Sequence, residues 1–178
     1  WYKLLLTLQH IHKRKETYKR TAMSLKVSDK RYAQCQKDGN YYEELFKDKV
    51  LSLGMSYKKA TQKDDWYKHI DCYVNGYGVD VKGNRHLETI WLEVLNVNGN
   101  KGWLQGDAFY IAMFIKELNI FSVYKRLDLL NYIKQNTKEY TETKTEYNKF
   151  YTRKKWGKKD ILVKYRYNDI KHLELKQL

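Results

Sequence analysis

The sequence predicts one domain of intermixed helices and strands, α/β or α+β in class, and three features predict it. Stretches with apolar residues at three- and four-residue spacing are interspersed with short runs that alternate apolar and polar residues, the two periodicities of helix and strand. An Asn-Gly pair at 75–76 joins two of the alternating runs and marks a tight hairpin. The chain has 178 residues, is 42% hydrophobic and carries 17 Tyr and 5 Trp, which is enough to bury one sizeable core.

The elements follow in order. A helix is predicted at about 2–22, inside a basic arm over 1–38 that holds ten Lys or Arg against three Asp or Glu. Residues 40–53 read as a helix, with Tyr42, Leu45, Phe46, Val50 and Leu53 on one face and Gly54 as its stop. Residues 55–61 read as extended and the DDWYK segment as a polar connection. Strands are predicted at 69–74, 79–83, 90–96, 108–114, 121–124 and 161–167, with a helix at 126–135. A loop with three glycines lies between the strands at 90–96 and 108–114, and 137–149 reads as polar. Residues 39–178 are therefore expected to form a single domain behind the arm.

Charge narrows the function. The formal net charge is +14 and the pI about 9.5, which favours phosphate polymers or an anionic surface as partner. No run approaches the ~18 apolar residues of a membrane span, and Leu4-Leu5-Leu6 is too short for a signal-peptide core. Cys35 and Cys72 make no disulfide framework and no CxxC, so a reducing cytoplasm is expected. The start at Trp1 suggests that a segment precedes it. A phosphate-binding GxxxxGK[ST] loop and a GxSxG nucleophile are absent, and His10 and His12 lack the partners that zinc needs.

The 69–83 hairpin carries the chemistry. Side chains alternate across a strand, so Ile70, Cys72, Val74, Val79 and Val81 are expected on one face and Asp71, Asp80 and Lys82 on the other. A turn centred on Gly76-Tyr77 sets Asp71 against Lys82; one centred on Asn75-Gly76 sets Asp71 against Asp80. Two neighbouring carboxylates repel one another unless a cation lies between them. A hard divalent ion suits them, since magnesium takes one or two carboxylates and keeps phosphate oxygens and waters as its other ligands. The competing reading is a surface hairpin with a solvated polar face and ordinary ion pairs.

Asp71…Asp80-x-Lys82 on a hairpin, preceded by an acidic helix start at Asn40-Tyr41-Tyr42-Glu43-Glu44, resembles the PD-(D/E)XK nuclease superfamily over roughly 39–96. Restriction endonucleases, archaeal-type junction resolvases and phage recombination nucleases belong to that superfamily. The resemblance implies an α/β fold with a restriction endonuclease-like core, a central mixed β-sheet flanked by helices, and a metal-dependent endonuclease acting on DNA. It implies that Glu43, Asp71 and Asp80 hold Mg²⁺, with Mn²⁺ as a substitute, and that Lys82 supports the attacking water; Glu44 is the alternate glutamate. Ile70 stands where the superfamily's name has proline, and no crossover helix is evident after Lys82. The setting it implies is a bacterial or phage-infected cytoplasm, and it admits a homodimer.

Arg85, Lys101, Arg153, Lys154, Lys155 and Lys158 are the candidate DNA contacts, since phosphate contacts position a nucleic acid. Arg85, His86, Lys101, Trp103 and Gln105 are expected in loops by the hairpin, and Trp103 serves equally as a core anchor. Glu93 reads as an exposed charge or a lysine's partner before it reads as a metal ligand. The alternative function is a non-catalytic basic nucleic-acid-binding protein, in which the charged surface does everything.

Overall fold

A computed structural model describes residues 33–178; the predicted arm helix at 2–22 lies outside them. Contacts divide the chain into units of 1–40 and 41–178, and the second holds both sheets and all the candidate residues from Glu43 onward. No helix among the described residues is long and apolar enough to cross a membrane.

Helix α1 spans 33–52 and stops where Gly54 turns left-handed at φ +72°. Phe46 and Val50 are buried and Tyr42 and Leu45 pack partly beside them. Leu53 lies beyond the helix and is exposed, so it does not continue the predicted face.

The main sheet has six strands: β1 (Tyr57–Lys59), β2 (Cys72–Val74), β3 (Tyr77–Arg85), β5 (Tyr110–Ile115), β6 (Ile120–Lys125) and β10 (Glu174–Gln177), adjacent in that order. β3 and β5 are parallel and the remaining neighbours antiparallel, so the sheet is mixed as expected. The second sheet has four strands in the order β4 (Ile90–Leu95), β9 (Ile161–Tyr165), β8 (Phe150–Thr152), β7 (Tyr140–Thr141).

Strand β5 shows why two layers are needed. Ile111, Met113 and Ile115 enter one core, with Leu129 and Ile133 of helix α3 (Arg126–Asn136) and with Leu92 and Val163 of the second sheet. Ala112 and Phe114 enter the other, under Phe46 and Val50 of α1. A strand covered on both faces reads as a near-continuous apolar run.

Parallel neighbours require a crossover, usually a helix. Here the chain leaves β3, crosses the second sheet as β4, passes a 3₁₀ turn at Trp103–Gln105 and returns as β5. The missing crossover helix is thus replaced by a strand of another layer. Polar segments conceal further elements: α2 (Gln62–Lys68) falls where DDWYK reads as a connection, and β7 lies within 137–149. Ile70 departs from its predicted face. His69 is left-handed at φ 54°, which breaks the alternation before β2 begins, and Ile70 joins the core opposite that of Cys72.

Gly83 on β3 lies under α1: a Cβ there would sit 1.9 Å from the Tyr42 ring, which packs 5.1 Å from Phe114. Gly83→Ala should therefore cost about 1–3 kcal/mol by overpacking, visible as a lower thermal midpoint. An unchanged midpoint would show that Tyr42 does not lie over this glycine.

Candidate active site

The hairpin pairs Val74 with Tyr77 and Cys72 with Val79, so its turn is centred on Asn75-Gly76. Both turn residues have positive φ, 48° and 86°, the signature of the primed turn that Asn-Gly favours. This is the register that brings Asp71 to Asp80. Asp71 itself precedes β2, and its backbone N–H donates to Val79 O at 2.9 Å. Its Oδ2 accepts the Val81 N–H at 2.7 Å, so the carboxylate is tied to the strand that carries Asp80.

Asp80 is only 1% exposed. Lys82, two residues along the same strand, forms an ion pair with its Oδ1, while Oδ2 is buried with no hydrogen-bond partner among the described residues. Burial pushes the Asp80 carboxyl well above the ordinary range; Lys82 pulls against this and Asp71 adds to it. Burial alone would lower Lys82, but the charges of Asp80 and Asp71 outweigh it and hold the ammonium above its usual value. The Trp103 ring lies 5.6 Å from Lys82 Nζ and is itself in the core. The polar face of the hairpin is therefore covered rather than solvated, which overturns the surface-hairpin reading. Lys82, with a side chain 22% exposed, still reaches solvent.

Glu43 on α1 is paired with Lys59 of β1. Burial raises its pKa, Lys59 opposes the shift and Asp71 reinforces it. Asp65 of α2 is raised by burial and then by Asp71. His69 is lowered, first by burial and then by Lys82. Asp71 is thus the hub of a charged cluster. Even so, no group of three or more His, Cys, Asp or Glu among the described residues is placed to hold a metal ion. Glu43 does not complete a three-carboxylate set with Asp71 and Asp80. Those two aspartates do fit a hard cation: one carboxylate oxygen is buried without a partner, and one or two carboxylates are magnesium's usual share of protein ligands.

The structure also relocates the secondary candidates. Arg85 lies on β3, not in a loop; burial lowers its pKa, the charges of Asp80 and Glu93 oppose this, and its Nε has no partner. It lies within the electrostatic reach of Asp80 and Glu93. Glu93 is raised by burial and lies in the fields of Lys82, Asp160 and Arg85, so it is not a free surface charge. Arg153 is committed to buried Asp160 through Nε and Nη2, at 2.8 and 2.5 Å. Lys155 pairs with Glu142 at 3.2 Å, Lys154 lies 5.9 Å from the Tyr140 ring, and Lys101 and Lys158 are exposed. Sequence reading missed Lys59 and Asp65, whose segments carry no motif. The sole signal for Asp65 was Thr61, whose Oγ1 accepts the Asp64 N–H and caps α2.

No protein-family model and no curated relative matches the chain. Among solved structures, a bacterial homing endonuclease is similar over 55% of this chain and 72% of that one, with 13% sequence identity and a TM-score of 0.41.

Folding raises the proton affinity of Asp80. Its stabilising contribution is therefore complete below the unfolded carboxylate range and drains away as pH rises through the raised folded value. Mg²⁺ should offset that loss, stabilising the protein more at pH 8 than at pH 5, by about 2.7 kcal/mol at a hundredfold excess over its dissociation constant. Thermal melts at both pH values with and without Mg²⁺ measure this; a shift that is equal at both, or absent, would remove the aspartate pair as a cation site.

Proposed function

We propose that this chain is a Mg²⁺-dependent endonuclease that hydrolyses DNA phosphodiester bonds at Asp71, Asp80 and Lys82. The observation that carries the reading is the buried, unpartnered Oδ2 of Asp80, one residue from Val81, whose amide binds Asp71, and two from Lys82. The same positions carry the resemblance to the PD-(D/E)XK nucleases.

Asp71 and Asp80 would hold the cation, with Mn²⁺ as a substitute. Magnesium, when bound, supplies positive charge that polarises the phosphate and acidifies water. Lys82 contributes an ammonium kept protonated by the two aspartates, aimed at charge that develops on the phosphate during attack. Glu43 acts from outside the pair, orienting Lys59 and adding negative field at Asp71. Trp103 and the second sheet exclude water from the inner side of the pair, which strengthens each of these interactions. The charge of +14 supplies sequence-independent affinity for the phosphate backbone. Lys101, Lys154, Lys155 and Lys158 are among its exposed contributors in the described part.

One observation favours a second reading. Lys82 already neutralises Asp80, and Glu43 is already paired with Lys59, so the cluster can stand as a buried ion network in a non-catalytic nucleic-acid-binding protein. Cutting assays with Mg²⁺ against EDTA separate the two.

Asp80→Asn and Lys82→Ala should each lower cutting at least ~100-fold while binding in EDTA survives. Binding itself should weaken steeply between low and physiological salt. Full cutting by both variants with Mg²⁺ supplied would end the nuclease assignment.

A further inference from the structure

A cleft of about 520 Å³ opens beside the charged cluster, bordered by α2 on one side and the 96–107 segment on the other. Its volume is within the range of small-ligand sites. Helix α2 buries none of its residues, yet it carries two consecutive large aromatics, Trp66 at 64% exposure and Tyr67 at 77%. Their rings serve no core, and both border the cleft.

The helix is nevertheless fixed. Thr61 caps its start, His69 closes its end in a left-handed conformation, and the Asp107 N–H donates to Lys68 O at 2.7 Å. A Cβ on Gly106 would meet His69 Cβ and Lys68 O at 2.8 Å, so only glycine lets the two walls approach this closely. The facing wall is equally set: Asn96 Oδ1 accepts the amides of Asn98 and Asn100 at 3.0 and 3.1 Å, and Gln105 Nε2 donates to Val94 O at 2.8 Å.

We propose that this cleft binds an unpaired DNA nucleotide next to the cleavage site, with its base on the exposed rings of Trp66 and Tyr67. Within a duplex both faces of a base are taken up by stacking, so exposed rings engage a base only where it is unpaired. Lys101 is exposed and no carboxylate of the described residues is within ion-pair distance of it, leaving its ammonium for a phosphate. The Asp107 carboxylate and the Asn100 amide supply an acceptor and a donor for base edges. His69 borders the cleft and stands in the fields of Lys82, Asp65 and Asp71, which joins the nucleotide site to the aspartates. The choice of DNA as polymer rests on the proposed nuclease reading; the binding itself does not require cutting.

The test is fluorescence anisotropy of the full chain in EDTA with three labelled DNAs: a short single strand, the matched duplex, and the duplex with one unpaired nucleotide. The single strand and the bulged duplex should bind more tightly than the matched duplex. Trp66→Ala should weaken both by about tenfold, the effect of one stacked base, while Trp66→Phe retains most of the affinity. Lys101→Gln should reduce the salt slope for single strands by about 0.7. Single-strand affinity that is the same for Trp66→Ala as for the parent overturns the proposal. Because EDTA excludes cutting, the outcomes separate. A parent that never cuts with Mg²⁺, yet loses single-strand binding on Trp66→Ala, leaves the cleft standing without the nuclease. A parent that cuts while Trp66→Ala binds like the parent does the reverse.

Discussion

The burial of the Asp80 carboxylate beside Lys82 is the constraint around which the rest of this molecule is arranged. An ionised carboxylate removed from water costs several kcal/mol unless it is paired and hydrogen-bonded. Here one oxygen has Lys82 and the other has no hydrogen-bond partner among the described residues. Asp71 makes matters worse by charge, yet its own carboxylate is pinned by the Val81 amide. A fold tolerates this only if the surrounding packing is strong enough to hold the groups in place.

That packing comes from two directions. Behind β3, Val79 and Val81 are locked against Phe46 and Val50 of α1. In front, the excursion of the chain through β4 and the 3₁₀ turn brings Trp103, Glu93 and the second sheet over the polar side. The crossover between the parallel strands thus does more than return the chain. It builds the low-dielectric wall that makes Asp80, Lys82 and Arg85 interact strongly, and it ends in the segment that faces Trp66 and Tyr67 across the cleft.

The hairpin was legible from residues 69–83 because alternation and an Asn-Gly turn are local rules. The turn's positive φ values and the apolar placement of Cys72, Val79 and Val81 follow from them directly. Ile70 escaped the pattern because His69 turns left-handed, a conformation dictated by the end of α2 rather than by the strand. Glu43 was singled out through the resemblance, but its partner Lys59 is sixteen residues away and carries no motif. Arg85 and Arg153 read as surface cations because basic residues usually are; that Arg153 is spent on buried Asp160, and that Arg85 stands in the field of Glu93, depends on residues distant in sequence or on another strand.

By itself the sequence determined the mixing of helices and strands, the hairpin and its gathering of Asp71, Asp80 and Lys82. Each of these rests on spacing within a few residues, where backbone geometry leaves few choices. Only the tertiary structure decided that the polar side of the hairpin is covered, that Glu43 stands apart with Lys59, and that Trp66 and Tyr67 line a cleft beside the aspartates. Burial and long-range charge are properties of what packs against a residue, and Glu93 of β4 comes within the field of Lys82 and Arg85 only because a parallel sheet obliges the chain to travel out and back.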